Sequence, residues 1–540
     1  MPGWNFAEVW EVVAAQIPDA PAQVQSDRRC TWRQFDQRAN GIANALLDIG
    51  VAEQDKVAQY LYNGPEYLES MFGVWKAGLA PVNTNYRYAD DELVYLWDNA
   101  DAVAVVFHSS FTDTIERIRD RVPNVRLWLW VDDDGRPCPP WATPYEDAAA
   151  SHPERVSGPW GRSGDHLYML YTGGTTGMPK GVMWRQDDLF RTLMGSAVDA
   201  RYREGEVDLA LTRSLVTAPG PVGLPACPLM HGTGCMTQLI VLASGGCVVT
   251  LQGHGLDVTE LLDTVEREGV NSVAIVGDSF AKPIARALDA EPDRWDLSSL
   301  LIIASSGVMF SEPVKQALLA HLDSTMIVDA FSSSEALGMA QSVSSKGREA
   351  STAKFTVSDK TRVIGEDGKD VEPGSGQMGR VAVGGFQPIG YYKDPDKSAA
   401  TFLTIDAKRY SVPGDFAQVE ADGSITLLGR GSVCINTGGE KVFPEEVEEA
   451  LKTHETVKDA VAVGVPDDKF GEAITAVVEP VEPGAPIDEA ELIGHVKSRL
   501  AGYKAPKRVL VVDTIGRAPN GKVDYKRLKA HAVERLTAGA

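Results

Sequence analysis

The string Tyr171-Thr172-Gly173-Gly174-Thr175-Thr176-Gly177-Met178-Pro179-Lys180-Gly181 packs three threonines and three glycines into residues 172–177 and follows them with a lysine. Glycines let successive backbone N–H groups turn toward an anion, and threonine hydroxyls add donors. A nearby lysine adds full positive charge. Thr172, Gly173, Gly174, Thr175, Thr176, Gly177 and Lys180 therefore suit a polyphosphate. The string is not a Walker A loop, which needs Gly-Lys-Ser/Thr opening a helix, because Pro179 stands before the lysine. A Gly/Thr cluster is also the composition of a surface hairpin loop. A second group, Cys227, His231 and Cys235, falls at i, i+4 and i+8, which would align on one helix face. Pro228, Gly232 and Gly234 would interrupt a helix there and no fourth ligand is near, so the spacing is read as no metal site.

The elements around these residues alternate. Residues 1 to about 50 carry helical periodicity, and 56–61 read as a strand. A helix with apolar face Met71, Val74, Trp75 and Ala77 stops at Gly78, and extended runs follow at 81–83, 102–107 and 125–131. The run 165–171 reads as a short buried strand leading into the glycine string. The pattern repeats with strands at 247–251 and 272–276 around a helix at 258–268 ended by Gly269. Buried strands at 301–304 and 326–328 end in Ser305-Ser306-Gly307 and Asp329-Ala330-Phe331. This is the pattern of doubly wound α/β units, whose ligands sit beyond the carboxyl ends of strands. Those loops are candidate walls of one site with residues 172–180. Asp132-Asp133-Asp134-Gly135 reads as a solvated turn. From Thr361 the runs become short and β-like, with more Gly and Pro, which predicts a β-rich subdomain. Gly429-Arg430-Gly431-Ser432 reads as a hinge, followed by a helix starting at Pro444 with acids in its first turn and strands at 460–464 and 476–479. Residues 1–430 and 431–540 are read as a large and a small domain.

The chain has 540 residues, 44% hydrophobic and 24% charged, with formal charge −23. The length predicts two or more domains. The charge argues against nucleic acid or an anionic membrane as main partner. No apolar run reaches the roughly 18 residues of a membrane span, and residues 1–6 lack the features of a signal peptide. Six scattered cysteines without a Cys-x-x-Cys pair fit a reduced cytoplasmic setting. Oligomeric state, including a homodimer, is left open.

The glycine string resembles the phosphate loop of the adenylate-forming superfamily, which holds acyl-CoA synthetases, peptide-synthetase adenylation domains and luciferases. Gly173 stands where that family more often has Ser. The resemblance runs from about Thr31 to Lys526 and rests on several strings in family order. Pro228 to Gly234 resembles the His-Gly segment lining the acyl pocket, with His231 its histidine. Phe331-Ser332-Ser333-Ser334-Glu335 occupies the place of Tyr-Gly-x-Thr-Glu. The resemblance implies that Glu335 and Thr172 bind Mg²⁺ with ATP, that Phe331 stacks on adenine, and that Ser306, Gly307, Asp329, Ala330, Ser332, Ser333 and Ser334 line the nucleotide. By spacing alone, Glu335 would instead be an acid at the start of a helix. Tyr410-Ser411-Val412-Pro413-Gly414-Asp415 resembles the segment whose Asp bonds both ribose hydroxyls, with Pro413 in place of Thr. Arg430 matches the arginine that also reaches the ribose. Gly438 and Gly439 lie in the loop after the hinge, where Ser432 and Asn436 replace the usual residues, and Lys522 matches the catalytic lysine near the C-terminus. The departures cluster as in bacterial acyl-CoA synthetases that include steroid-side-chain-CoA ligases.

The resemblance implies a large α/β domain of doubly wound mixed sheets with a β-rich subdomain, then a small mobile α+β domain. It implies an ATP- and Mg²⁺-dependent enzyme joining a hydrophobic carboxylic acid to coenzyme A through an acyl-adenylate, with Lys522, Glu335 and His231 catalytic. Three rivals stand beside it: loading of a carrier protein, a catalytically weak lipid-binding relative, and an esterase suggested by Gly277-Asp278-Ser279. The esterase lacks a Gly-x-Ser-x-Gly elbow. Gly232, Met236, Val276, Gly277, Phe280 and Val308 predict a small-residue and apolar acyl pocket without a cation for a charged tail.

Overall fold

The computed structural model describes residues 3–538 apart from 175–176, 349–350, 438–439, 468–470 and 519–520. Among the described residues the strands form sheets of 8, 15 and 5 strands. In the first, Lys56–Tyr60, Ala80–Asn83, Ala102–His108 and Leu127–Val131 run parallel. The hairpin of Leu167–Gly174 and Gly177–Arg185 joins their edge beside Ala80–Asn83. Every residue of Ala102–His108 is buried. That is why it reads as a continuous apolar run rather than an alternating one: helices cover both faces of a parallel sheet.

The second sheet sets Pro21–Gln25, Cys247–Thr250, Val222–Pro225, Ser272–Ile275, Ile302–Ser306 and Met326–Ser333 in parallel. The last two strands alternate buried with half-buried residues, with Met326 exposed, so they are not the fully buried strands expected. The chain then reverses into Ala336–Ser345 and Lys354–Val357, and the sheet continues without a break into Ile425–Arg430, Asp415–Val419 and Met378–Val383. The β-rich part therefore begins some 25 residues before Thr361 and is an extension of the second sheet.

Two further expectations need correction. The first 50 residues are not helical throughout: Pro21–Gln25 and Arg28–Thr31 form an antiparallel pair between the helices Phe6–Gln16 and Trp32–Asp48. Asp133 and Asp134 are not a merely solvated turn, because Ser109 and Ser110 donate to them at 2.5–2.8 Å and tie the turn to the end of Ala102–His108. Elsewhere local chemistry and structure agree. The helix Val258–Glu268 starts where Asp257 accepts from the Thr259 and Glu260 N–H groups, and ends at Gly269 with φ 61°, a conformation that strains any residue with a Cβ.

The strand Ile425–Arg430 gives way to a single turn, Gly431–Val433. Beyond it, Ile435–Thr437, Glu440–Val442, Val457–Asp467, Gly471–Pro480 and Arg508–Val511 make the third sheet. One apolar cluster under Pro444–Lys452 and Glu489–Lys497, and another under Tyr525–Ala538, pack its faces. Both clusters draw only on residues after 430. No helix among the described residues is long and apolar enough to cross a membrane.

Candidate active site

The hairpin pairs Thr172 with Lys180 and Gly174 with Gly177. Thr175 and Thr176 lie outside the described residues. The glycine string is thus a hairpin tip, which makes its two sequence readings compatible. Asn83, which sequence reasoning passed over, fixes the hairpin. Its amide exchanges bonds with the Tyr171 backbone (2.6 and 2.9 Å) and donates to the Met230 carbonyl at 2.7 Å. One buried side chain therefore ties the phosphate-loop candidate to the segment carrying His231. Lys180 is held by Asp394 at 2.6 Å.

His231 caps the helix Gly232–Ala243. The glycines expected to break a helix here sit in its first turn, where N–H groups need no intrahelical partner. Cys227 and Cys235 are fully buried, and burial pushes both thiols up to about 12. His231 Nε2 is buried without a hydrogen-bond partner among the described residues. Burial first, then the charge of Lys522, pull its pKa down to about 3, so the ring is neutral.

The ends of two parallel strands form the facing wall. Ser306 presents its carbonyl to Thr233 Oγ1 at 3.4 Å, and Gly307 follows. Along Met326–Ser333, Ala330 and Ser332 are half-buried while Asp329 and Phe331 lie on the buried side. The Asp329 carboxylate is paired with buried Lys315 at 2.8 Å, and the Phe331 ring packs against Phe355. Alternation puts these two side chains behind the strand. Ser332 Oγ accepts from the Gly338 N–H at 3.0 Å, Ser333 Oγ is buried without a partner among the described residues, and Trp184 Nε1 donates to the Ser334 carbonyl at 2.9 Å. Glu335 lies in the turn between Met326–Ser333 and Ala336–Ser345, not at a helix start. Tyr391, a second residue missed in sequence, donates its hydroxyl to Glu335 at 2.8 Å.

Asp415 and Arg430 face each other across adjacent strands, with Nε 3.2 Å from Oδ1. Asp415 Oδ2 is buried without a hydrogen-bond partner among the described residues. Burial raises the Asp415 pKa, opposed by Arg430. Lys522 arrives from the small domain. Its loop is anchored by Arg517, which grips Asp459 at 2.6 and 2.8 Å and donates to the Gly521 carbonyl. A Cβ on Gly521 would touch Val308, Ser279 and Val276 of the large domain. Lys522 remains open to solvent but is ringed by protein. That desolvation, then repulsion from Arg430, lowers its pKa, and Glu335 opposes the shift. Lys522, His231, Arg430, Glu335 and Asp415 thus share one electrostatic neighbourhood, although they come from both domains. Gly438 and Gly439 lie outside the described residues.

A cavity of about 710 Å³ opens beside this cluster, between the domains. Phe280, Val308 and Met309 give it an apolar wall, while Lys282, Arg286 and Arg517 put cations on it. Of the residues expected to line the acyl pocket, Phe280 and Val308 face this cavity. Lys282 and Arg286 share one face of the helix Gly277–Ala290, and Arg517 comes from the other domain, which linear inspection of the pocket segment did not bring together.

Residues 10–392 match the AMP-binding enzyme family, and residues 446–522 match the AMP-binding enzyme C-terminal domain. The medium/long-chain-fatty-acid–CoA/3-oxocholest-4-en-26-oate–CoA ligase of Mycolicibacterium smegmatis is 40% identical, covering 98% of this chain and 97% of its own. The 3-oxocholest-4-en-26-oate–CoA ligase of Rhodococcus rhodochrous is 40% identical over 97% of this chain and 95% of its own. The anthranilate CoA ligase AuaEII, solved with anthranoyl-AMP, superposes with a TM-score of 0.83 at 21% identity, covering 99% of both chains. A large sheet domain carrying the phosphate-loop hairpin, a small domain delivering a lysine, and matches along nearly the whole length agree: the chain belongs to the AMP-binding enzyme family.

Proposed function

We propose that this chain is an AMP-forming acyl-CoA ligase acting on hydrophobic carboxylic acids, from medium and long fatty acids to steroid side-chain acids. The acid's carboxylate attacks the α-phosphate of ATP and pyrophosphate leaves. The thiol of coenzyme A then attacks the acyl-adenylate, forming the thioester and releasing AMP. The observation that carries this reading is the convergence of Lys522 with His231, Glu335 and Arg430 across the domain seam. Cations and neutral donors at one point are what a developing phosphoryl charge requires, and holding the reactants there supplies the rest.

In this reading the hairpin 172–180 cradles the polyphosphate, with Lys180 exchanging Asp394 for a phosphate. Asp415 Oδ2, an acceptor buried without a donor among the described residues, suits ribose hydroxyls, and residues 306–307, 330 and 332–334 flank the base. Thr172 and Glu335 supply hard oxygen donors of the kind Mg²⁺ takes; the ion would neutralise phosphate charge. Neutral His231 borders the acid without adding charge. The cations of the cavity suit the phosphates of coenzyme A. The apolar wall of Phe280, Val308 and Met309 and the substrates named for the 40%-identical ligases support an apolar acid. We place the domain division at 430/431, and take the setting as cytoplasmic and a homodimer as the assembly to look for.

CoA-dependent AMP formation measured across acetate, medium and long fatty acids, aryl acids and steroid acids tests the assignment. Apolar acids of medium length or longer, or steroid acids, should outpace acetate. A preference for acetate or an amino acid sinks the substrate class, and transfer to a carrier protein but not to free CoA sinks the acceptor.

Tyr391→Phe removes the hydroxyl that fixes Glu335, one bond to a charged group worth about 1.5 kcal/mol. The Mg²⁺ concentration for half-maximal rate should rise about tenfold, with little change at saturating Mg²⁺. An unchanged Mg²⁺ titration would remove Tyr391 from the support of Glu335.

A further inference from the structure

The helix Pro444–Lys452 is the first α-helix of the small domain, and its second residue turns a carboxyl back onto the large one. Glu445 Oε2 is buried without a hydrogen-bond partner among the described residues. The carboxyl rests on Gly429, where any Cβ would overlap it. Gly429 has φ 125°, so glycine is required there both for the backbone and for the seat. The Arg430 backbone N–H lies within reach of the same carboxyl, and Phe443, just ahead of the helix, packs its ring 5.6 Å from that of Phe416.

The groups facing Glu445 are Glu448 on its own helix, Asp415 and Arg430 on the two strands beneath, and Tyr525 at the start of the last helix. The Arg430 guanidinium is turned to Asp415. Glu446 points away to Lys504. Glu448 accepts from the Ala462 N–H at 3.1 Å and the Tyr525 hydroxyl at 2.9 Å, with Lys452 and Arg517 close by. Of the two buried acids, Glu448 has two cations and the Tyr525 hydroxyl beside it, whereas Glu445 is met by backbone N–H groups, its own and that of Arg430, and by the like charges of Glu448 and Asp415, so a proton belongs on Glu445.

We propose that Glu445 is a positioning residue for adenylate formation: its neutral carboxyl, seated on Gly429 and Arg430, holds the small domain where Lys522 enters the site. The proposal rests on the two-step reaction above. Burial, then Glu448 and Asp415, push the seated carboxyl well above the usual carboxylate range. When the small domain leaves for the thioester step, the carboxyl meets water and returns toward about 4.3. The seated form therefore carries one more proton. Seating is fully favoured below about pH 4.3, weakens up to tenfold per pH unit as pH rises toward the raised value, and weakens no further above it.

The test measures the two half-reactions separately in wild type, E445Q and E445A between about pH 6 and pH 8. Glutamine keeps the seat without a proton to lose. Relative to E445Q, wild-type adenylate formation should fall severalfold across the window. E445A should lower adenylate formation about tenfold through kcat rather than the KM for ATP, and leave CoA attack on supplied adenylate within about twofold of wild type. An E445Q profile with the wild-type slope overturns the proposal, as does equal slowing of both half-reactions in E445A. A wild-type protein that forms no adenylate at any pH would overturn the two-step reading itself, and this proposal with it.

Discussion

Lys522→Ala should lower acyl-adenylate formation by roughly 10²–10³-fold, about 3–4 kcal/mol, while leaving the second half-reaction nearly intact. The expectation follows from where the ammonium sits. Its loop is clamped to the small domain by Arg517 and Asp459 and abuts Val276, Ser279 and Val308 of the large domain. The charge lies among Glu335, Arg430 and His231, in a neighbourhood crowded enough to lower its own pKa. A preorganised cation at that point meets the negative charge that concentrates between carboxylate and α-phosphate in the transition state. Attack of CoA on the adenylate needs no such cation at the phosphate. Conversion of supplied acyl-adenylate plus CoA should therefore stay within about tenfold of wild type, a gap of roughly 1.4 kcal/mol. Quenched measurements of each half-reaction decide the matter. Equal losses in both would mean that Lys522 holds the seam or the CoA path instead.

Much of this site could be read before folding because its residues travel in strings whose chemistry is local. A glycine-threonine string with a lysine, an acid after a Pro-Gly turn and a helix ended by Gly269 each state their conformation within a few residues. The residues missed are those whose meaning is tertiary. Asn83 ends a short strand and looks ordinary until its amide is found between Tyr171 and Met230, 88 and 147 positions away. Tyr391 reaches Glu335 across 56 positions. Asp329 and Phe331 illustrate the opposite case. They sit inside a motif string, yet period-two alternation turns their side chains behind the strand, toward Lys315 and Phe355. The cations of the cavity failed to register because Lys282 and Arg286 line it together with Arg517, some 230 positions further along the chain. A motif names the neighbourhood, and the pleat decides which of its members face the ligand.

Asp415→Ala should raise the KM for ATP about a hundredfold or more with the fold intact. Asp415 is the first residue of its strand, follows Gly414, and lies opposite Arg430 in register. One oxygen takes the Arg430 Nε at 3.2 Å; the other is buried with no donor among the described residues. Leaving a buried acceptor unmet costs about 1–3 kcal/mol, more when it carries charge, and that cost is recovered when a ligand hydroxyl arrives. Two ribose hydroxyls donating to one carboxylate would contribute roughly 3 kcal/mol together, which sets the hundredfold scale. The same burial raises the pKa of Asp415 in the free protein. The sign follows: ligand donors favour the ionised form, so ATP binding releases a proton where the carboxyl is protonated, and affinity falls as pH drops through the raised value. Asp415→Asn separates charge from shape. It keeps an acceptor oxygen, should lose about tenfold rather than a hundredfold, and should flatten that acid limb. Both readings come from nucleotide titrations of the folded variants at two pH values. An Asp415→Ala protein that folds and binds ATP like wild type would place the ribose elsewhere.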